Sequence, residues 1–317
     1  MKNSVNTGQP ILVQSSFKVR FVRDLQKNYS LYLLVLPVVA FYIIFHYLPM
    51  YGAIIAFKNY SPGKGILGSP WCGFDHFISF FQSIYFGRIL RNTLRISILN
   101  ILFGFTAPII LALLINELKS RTYSRIVQTV TYLPHFISLV VVCGMLADFL
   151  DVDGIITQIC MMFGLENQNL LRVPDYFTTI YVASDIWQGV GWGSIIYLAA
   201  LAGIDPSLHE AARIDGASRW RQVWTVDIPC ILPTIITLLV LRMGSVMSVG
   251  YEKIILLYNS LTMEKADVIS SFVYRKGLLE SNYGFSTAVG LFNSVINMLL
   301  VVAANTISRK VNETSLW

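Results

Sequence analysis

Four charged side chains, Glu210, Arg213, Asp215 and Arg219, crowd around the small pair Ala211–Ala212 in one loop, and a further cation, Arg242, falls inside an apolar stretch. The two groupings point to different chemistry. Small side chains on an exposed helix let a partner surface approach closely, and charges of both signs at the edges supply complementarity. That pattern suits a docking module rather than an active site. The same segment also reads as an amphipathic interfacial helix pair that only caps a bundle. A cation within an apolar stretch is costly in hydrocarbon and marks either a functional position or a paired charge. No signature of self-contained catalysis accompanies them. G-x-x-x-x-G-K-[ST], H-E-x-x-H and G-x-S-x-G are all absent, so no catalytic residues are assigned. His46, His76, His135 and His209 are scattered and suggest no metal constellation. Cys72, Cys143, Cys160 and Cys230 lack C-x-x-C or Cys/His ligand spacing; Cys72 and Cys160 fall in loops on one side, where pairing stays open.

The elements that must position these groups follow from composition. The chain has 317 residues, 55% hydrophobic and only 13% charged, against about 25% charged in ordinary globular proteins. Mean hydropathy is +0.59. A soluble fold could not cover its surface with so few charges, so the fold class expected is all-α integral membrane. A helix needs about twenty mostly apolar residues to cross the hydrocarbon core, and six stretches qualify: Leu31–Phe57, Leu94–Asn116, Ile126–Phe149, Phe177–Ala202, Ile231–Val249 and Ser286–Ile307. Pro37, Pro49, Pro108 and Pro134 lie inside these spans and predict kinks. Strict alternation, the mark of a closed barrel, is absent.

Loop cations set the orientation. Thirteen Lys and Arg fall in the N-terminal tail (1–30), the 117–125 loop, the 203–230 loop and the C-terminal tail (311–317, with Arg309 and Lys310 beside it). Nine, Lys253 among them, fall in the longer loops opposite. The density places both termini in the cytoplasm, with residues 31–310 forming one six-span transmembrane domain. The net charge of +6 reflects this bias, and no basic, aromatic-interleaved patch points to nucleic acid. The first apolar stretch is too long for a cleavable signal and reads as an uncleaved anchor.

Local rules shape the 203–230 loop. Asp205 can cap a helix that begins at Pro206, Gly216 can end it in the left-handed conformation, and Trp220, Val223 and Trp224 share a face of a second short helix. Glu210-Ala211-Ala212, then Gly216 after three residues, then Val226-x-Ile228-Pro229 after nine, resembles the EAA motif of membrane subunits of ATP-binding-cassette (ABC) importers. Val226 stands for the usual Ile and Ile228 for the usual Leu. The resemblance extends from about Tyr32 to Trp317. Phe57-Lys-Asn-Tyr-Ser-Pro62, Arg91-Asn-Thr-Leu94, Tyr132-Leu-Pro-His-Phe-Ile-Ser138, Gly191-Trp-Gly-Ser-Ile-Ile-Tyr-Leu-Ala-Ala200 and the terminal Ser315-Leu-Trp317 are most similar to LplB-like carbohydrate permeases, which are related to the larger maltose-type membrane subunit. Unlike that subunit, this chain has no large inserted extracytoplasmic domain.

The resemblance implies the type I ABC importer permease fold. Its coupling residues would be Glu210, Ala211, Ala212, Arg213, Asp215, Gly216 and Pro229. The implied partners are a second permease subunit, two cytoplasmic ATPase subunits that hold ATP and Mg, and an extracytoplasmic sugar-binding protein; no cofactor is expected on this chain. The substrate would be an oligosaccharide or polysaccharide fragment. An ion-coupled secondary transporter, with Asp148, Asp185 and Arg242 as a charge relay, is the rival reading. Trp187, Gln188, Trp192, Tyr197, Asn293 and Asn297 offer the aromatic faces and hydrogen-bonding groups that suit a sugar path. The tryptophans equally suit an aromatic belt, and the asparagines, four apart on a shared helix face, suit interhelical hydrogen bonds. Arg242 would meet an acidic sugar such as a uronate, or pair with Asp185 or Asp148. Tyr60, Trp71, Phe74 and the aromatics from Tyr251 to Tyr283 would face the binding protein.

Overall fold

A computed structural model describes residues 24–312. The tail cations from Lys2 to Arg23 and the terminal Ser315-Leu-Trp317 lie outside the described residues. Described secondary structure is helical, with one isolated antiparallel bridge between Lys58 and Trp71. The chain divides into two compact units, residues 1–54 and 55–317.

The first unit holds most of helix α1 (Tyr29–Phe57). Its apolar window has no buried residue, so the hydrophobic surface that would unfold a soluble helix is fully presented outward. The second unit carries α2 (Phe86–Asn116), α3 (Arg121–Phe136), α4 (Leu139–Phe149), α5 (Pro174–Ala202), the short α6 (Pro206–Ile214), α7 (Arg219–Met243), α8 (Tyr251–Leu257) and α9 (Tyr283–Asn312). Four helices, α1, α2, α7 and α9, are each long and apolar enough to cross a membrane. Two bent pairs, α3 with α4 and α5 with α6, pass that test only together.

The prolines act in two ways. Widened π-helical turns at Ile43–Tyr47, Asn100–Phe105 and Val223–Asp227 come just before Pro49, Pro108 and Pro229. Proline removes a hydrogen bond and collides with the carbonyl four residues back; a turn widened by one residue relieves both. The kinks expected at Pro49 and Pro108 are therefore absorbed within continuous helices. Pro134 behaves differently. The helix tightens over Leu133–Phe136, Ile137 and Ser138 turn extended, Ser138 caps the next helix, and the chain bends by 100°. The expected third span is thus a broken pair rather than one rod.

The fifth expected span needs a correction. Its helix ends at Met243 rather than Val249, and residues 244–250 form turns and irregular backbone before α8. α5 is the centre of the unit, about 43 Å long at about 1.5 Å per residue, and it packs against α2, α3, α7 and the short helix Met263–Ala266. Gly191 lets the end of α3 press against it: a Cβ there would lie 2.1 Å from the Thr131 carbonyl oxygen. One buried cluster gathers Phe177, Tyr181 and Val182 of α5 with Ile254 and Leu257 of α8. Another joins Ala112, Tyr197, Leu201 and Ile231 at the opposite end.

Candidate functional site

Two features carry the site: a charged cavity beside the middle of α5, and the exposed loop that holds α6.

The interruption after α7 makes the cavity. Because the helix stops at Met243, Arg242 sits in its last turn instead of midway along a span. Asn297 of α9 fastens the turn that follows: its Oδ1 accepts from the Met247 N–H at 2.9 Å and its Nδ2 donates to Ser248 Oγ at 3.0 Å. The Ser270 hydroxyl donates to the Val249 carbonyl. α8 then carries Lys253 back against α5. Lys253 is 3% exposed, donates to the Tyr181 carbonyl at 3.3 Å, pairs with Asp185 Oδ1 at 3.3 Å and lies 4.8 Å from the Tyr181 ring centroid. A buried ammonium needs such partners. Lys253 is therefore not a loop charge, and the nine cations counted on the side away from the tails fall to eight.

This ion pair also corrects the pairing expected for Arg242. Asp185 is taken by Lys253, and among the described residues no carboxylate lies within ion-pair distance of Arg242. Arg242 instead lines two adjoining cavities of about 350 and 520 Å³ that share Asn100, Asp185, Arg242 and Ser245 as walls. The larger adds Gln188 and Tyr197; the smaller adds Tyr251, Glu252 and Lys253. Gln188 also donates to the Ile137 carbonyl at 3.2 Å, tying α5 to the α3–α4 break. The Asn100 Oδ1 has no hydrogen-bond partner although it is buried. Hydroxyl-bonding amides, an aromatic ring and a forked cation capable of bidentate contact with a carboxylate meet here.

Of the sequence candidates, Gln188, Tyr197 and Arg242 come together. Trp187 instead lines a separate apolar cavity of about 580 Å³ with Leu146, Phe149 and Tyr176. Trp192 stacks on His135 with ring centroids 4.6 Å apart. Asn297 is used by the turn, and Asn293, whose Oδ1 is buried without a partner, lies outside both cavities. Asn100, Ser245 and Lys253 were not singled out in the sequence. Lys253 carried a signal in hindsight: Gly250 and the Val246–Val249 segment show that α7 had already ended, so the next apolar run had to return to the bundle.

The loop folds as local rules predict. Asp205 caps α6 by accepting from the Ser207 N–H at 2.9 Å, and that bond holds its carboxyl below the usual carboxylate range. Gly216 ends the turn at φ +73°. Ser218 caps the next helix through the Arg221 N–H. Glu210, Ala211, Arg213 and Asp215 are exposed and Ala212 is half-buried. Leu208, Ile214, Trp220 and Trp224 are also exposed large apolar side chains, so acids, bases and apolar faces lie together on an uncovered surface. Pro229 is exposed in the first turn after the π-helical segment.

At the other end of the molecule Phe57 stacks on Trp71 (5.8 Å) and meets Phe74 edge-on (5.4 Å), with Trp71 and Phe74 exposed. Tyr60 meets Tyr283 edge-on at 6.0 Å. All four cysteines are free.

Residues 104–313 match the family described as the binding-protein-dependent transport system inner membrane component. The chain belongs to this family. Protein LplB of Bacillus subtilis (strain 168) is 43% identical over 300 residues, 94% of each chain. The polygalacturonan/rhamnogalacturonan transport system permease protein YteP of the same organism is 40% identical over 297 residues, 93% of this chain and 92% of that one. A chain from the crystal structure of a bacterial ABC transporter involved in the import of the acidic polysaccharide alginate superposes with a TM-score of 0.85 at 44% identity, covering 92% of this chain and 99% of that one. A second structure, of the alginate transporter in complex with its alginate-pentasaccharide-bound periplasmic protein, gives 0.86 at 44% identity over 94% and 100%. This family member is thus an all-helical, multi-pass inner-membrane permease of the ABC importer type.

Proposed function

We propose that this permease carries acidic oligosaccharides or polysaccharide fragments, and that Arg242 meets their carboxylates. The single observation behind this reading is the division of labour among charges. Lys253 neutralises Asp185, which leaves Arg242 as an uncommitted cation in the wall of the larger cavity, beside Gln188 and Tyr197. Glu252 lines the smaller cavity and not the larger. The names of the relatives point the same way, since alginate and polygalacturonan are both polyuronates.

Both termini lie in the cytoplasm, as the loop cations argue. This chain hydrolyses no ATP. Two cytoplasmic ATPase subunits supply the energy, a second permease completes the path, and an extracytoplasmic binding protein delivers the sugar. Glu210, Ala211, Ala212, Arg213, Asp215, Gly216 and Pro229 form the coupling surface, and α6 is the helix the ATPase moves. ATP binding and the loaded binding protein then bias one two-state helical bundle from opposite sides of the membrane.

The test is uptake of a labelled uronate oligosaccharide into proteoliposomes that hold the assembled complex. Uptake should require ATP and binding protein and persist when ion gradients are collapsed. Uptake that runs without ATP and dies with the gradient would establish the ion-coupled alternative instead.

A further inference from the structure

The π-helical turn Val223–Asp227 does more than accommodate Pro229. It brings Asp227 inward, where its side chain is 1% exposed. Neither carboxylate oxygen receives a hydrogen bond. The nearest titratable partner is His209 of α6, with Nε2 3.3 Å from Asp227 Oδ1 and the imidazole 24% exposed, a cation only when the ring is protonated. A buried carboxylate without donors is unstable unless a cation stands beside it. The other charged groups here belong to the end of α2 and the start of α7. The Glu117 carboxylate is close enough to repel Asp227, and Arg219 holds Glu117 at 3.8 Å across an exposed gap. Arg219 thus answers Glu117, and His209 answers Asp227.

We infer that the His209–Asp227 contact, an ion pair when the imidazole is protonated, is a latch that makes α6 and α7 move as one. The inference rests on the reading of α6 as the helix displaced by the ATPase. α6 reaches α7 by way of the Gly216 turn, closed by bonds from the Gly216 N–H to the Arg213 carbonyl (3.0 Å) and from the Ala217 N–H to the Ala212 carbonyl (2.9 Å), and direct packing between α6 and the π-helical turn is sparse. A side-chain contact across that turn adds a second connection through which a displacement of α6 reaches α7. The latch is that contact. It grips α7 at its ninth residue, the end of the π-helical segment, and Arg242 stands near the far end of the same helix, fifteen residues beyond Asp227, a span of about 22 Å at about 1.5 Å per residue. A pull on Asp227 is therefore delivered to the cavity wall along one helix. His209 is a positioning residue in this account and touches neither ATP nor sugar.

The experiment compares wild type, His209→Ala, His209→Lys and Asp227→Asn in the assembled complex, reading uronate uptake per ATP hydrolysed. It also reads labelling of a cysteine placed at Ser245, in a chain whose four native cysteines are replaced, by a membrane-impermeant thiol reagent with and without ATP. His209→Ala and Asp227→Asn should each lower uptake per ATP at least fivefold and abolish the ATP-dependent change in labelling, while the ATPase still co-purifies. His209→Lys, which restores a cation, should return both readouts to within twofold of wild type. Coupling at wild-type level in His209→Ala, or a Lys variant as defective as the Ala variant, overturns the latch. A wild-type complex whose labelling switches with ATP but which takes up no uronate would overturn the substrate reading and leave the latch standing.

Discussion

At the scale of single residues, the informative distinction is between a charge that is spoken for and one that is free. Lys253 and Asp185 satisfy each other at 3.3 Å, so removing one strands the other. Lys253→Met should lower the amount of inserted, folded protein, and adding Asp185→Asn should recover much of it; the ratio of detergent-extracted monodisperse protein among the three reads this directly. Arg242 should behave in the opposite way. Arg242→Gln leaves no buried partner behind, so protein level should hold while uronate uptake falls at least tenfold, the scale of one charge-assisted hydrogen bond of roughly 1.5–3 kcal/mol. Arg242→Lys keeps the charge but loses the fork and should recover only part of it. The sequence made Arg242 conspicuous because a cation in an apolar stretch is costly. It could not show which carboxylate was occupied, since that depended on Lys253 returning to the bundle, a long-range event with no local code.

At the scale of elements, the loop around α6 was legible almost residue by residue, because caps and glycine turns are local. Asp205, Pro206, Gly216 and Ser218 all act as their types dictate. Gly216→Ala should cost about 1–2 kcal/mol at that turn, and Gly216→Pro, whose ring fixes φ near −65°, should uncouple uptake from ATP while leaving the chain inserted; wild-type uptake in that variant would count against the coupling role. The cap has a pH signature. The folded carboxyl of Asp205 lies below its ordinary value, so its contribution is present above the unfolded value of about 3.9 and is lost as pH falls through the folded one. Protection of the Ser207 and Leu208 amides, measured relative to their intrinsic exchange rates, should be high at neutral pH and fall in acid, and Asp205→Asn, an equally good cap, should remove that acid sensitivity. The breaks were less legible. Four prolines looked alike in sequence, yet Pro49 and Pro108 were absorbed by widened turns and Pro134 became a 100° bend. What differs is the sequence after it: Ser138 stands ready to cap a new helix, and Gly191 on α5 offers space for the broken end.

At the scale of the whole molecule, composition already required a membrane protein, and the spacing of the EAA-like segment already resembled one family. The sugar path was harder to read, because a path is walled by residues distant in sequence. Gln188 and Arg242 meet only because α5 and α7 pack together, while Trp187 and Trp192, equally suitable by type, turn to an apolar cavity and to His135. The account joins two ends of one chain: an uncovered surface at α6 and a cation at the end of α7. Its central claim is that ATP-driven movement at the first exposes the second to an acidic sugar. The most direct measurement is uronate uptake by the reconstituted complex, at saturating binding protein, in wild type and Arg242→Gln. The account predicts at least a tenfold loss of uptake in the variant while ATP hydrolysis still responds to the loaded binding protein. Equal uptake by the two, with equal protein in the membrane, would contradict it.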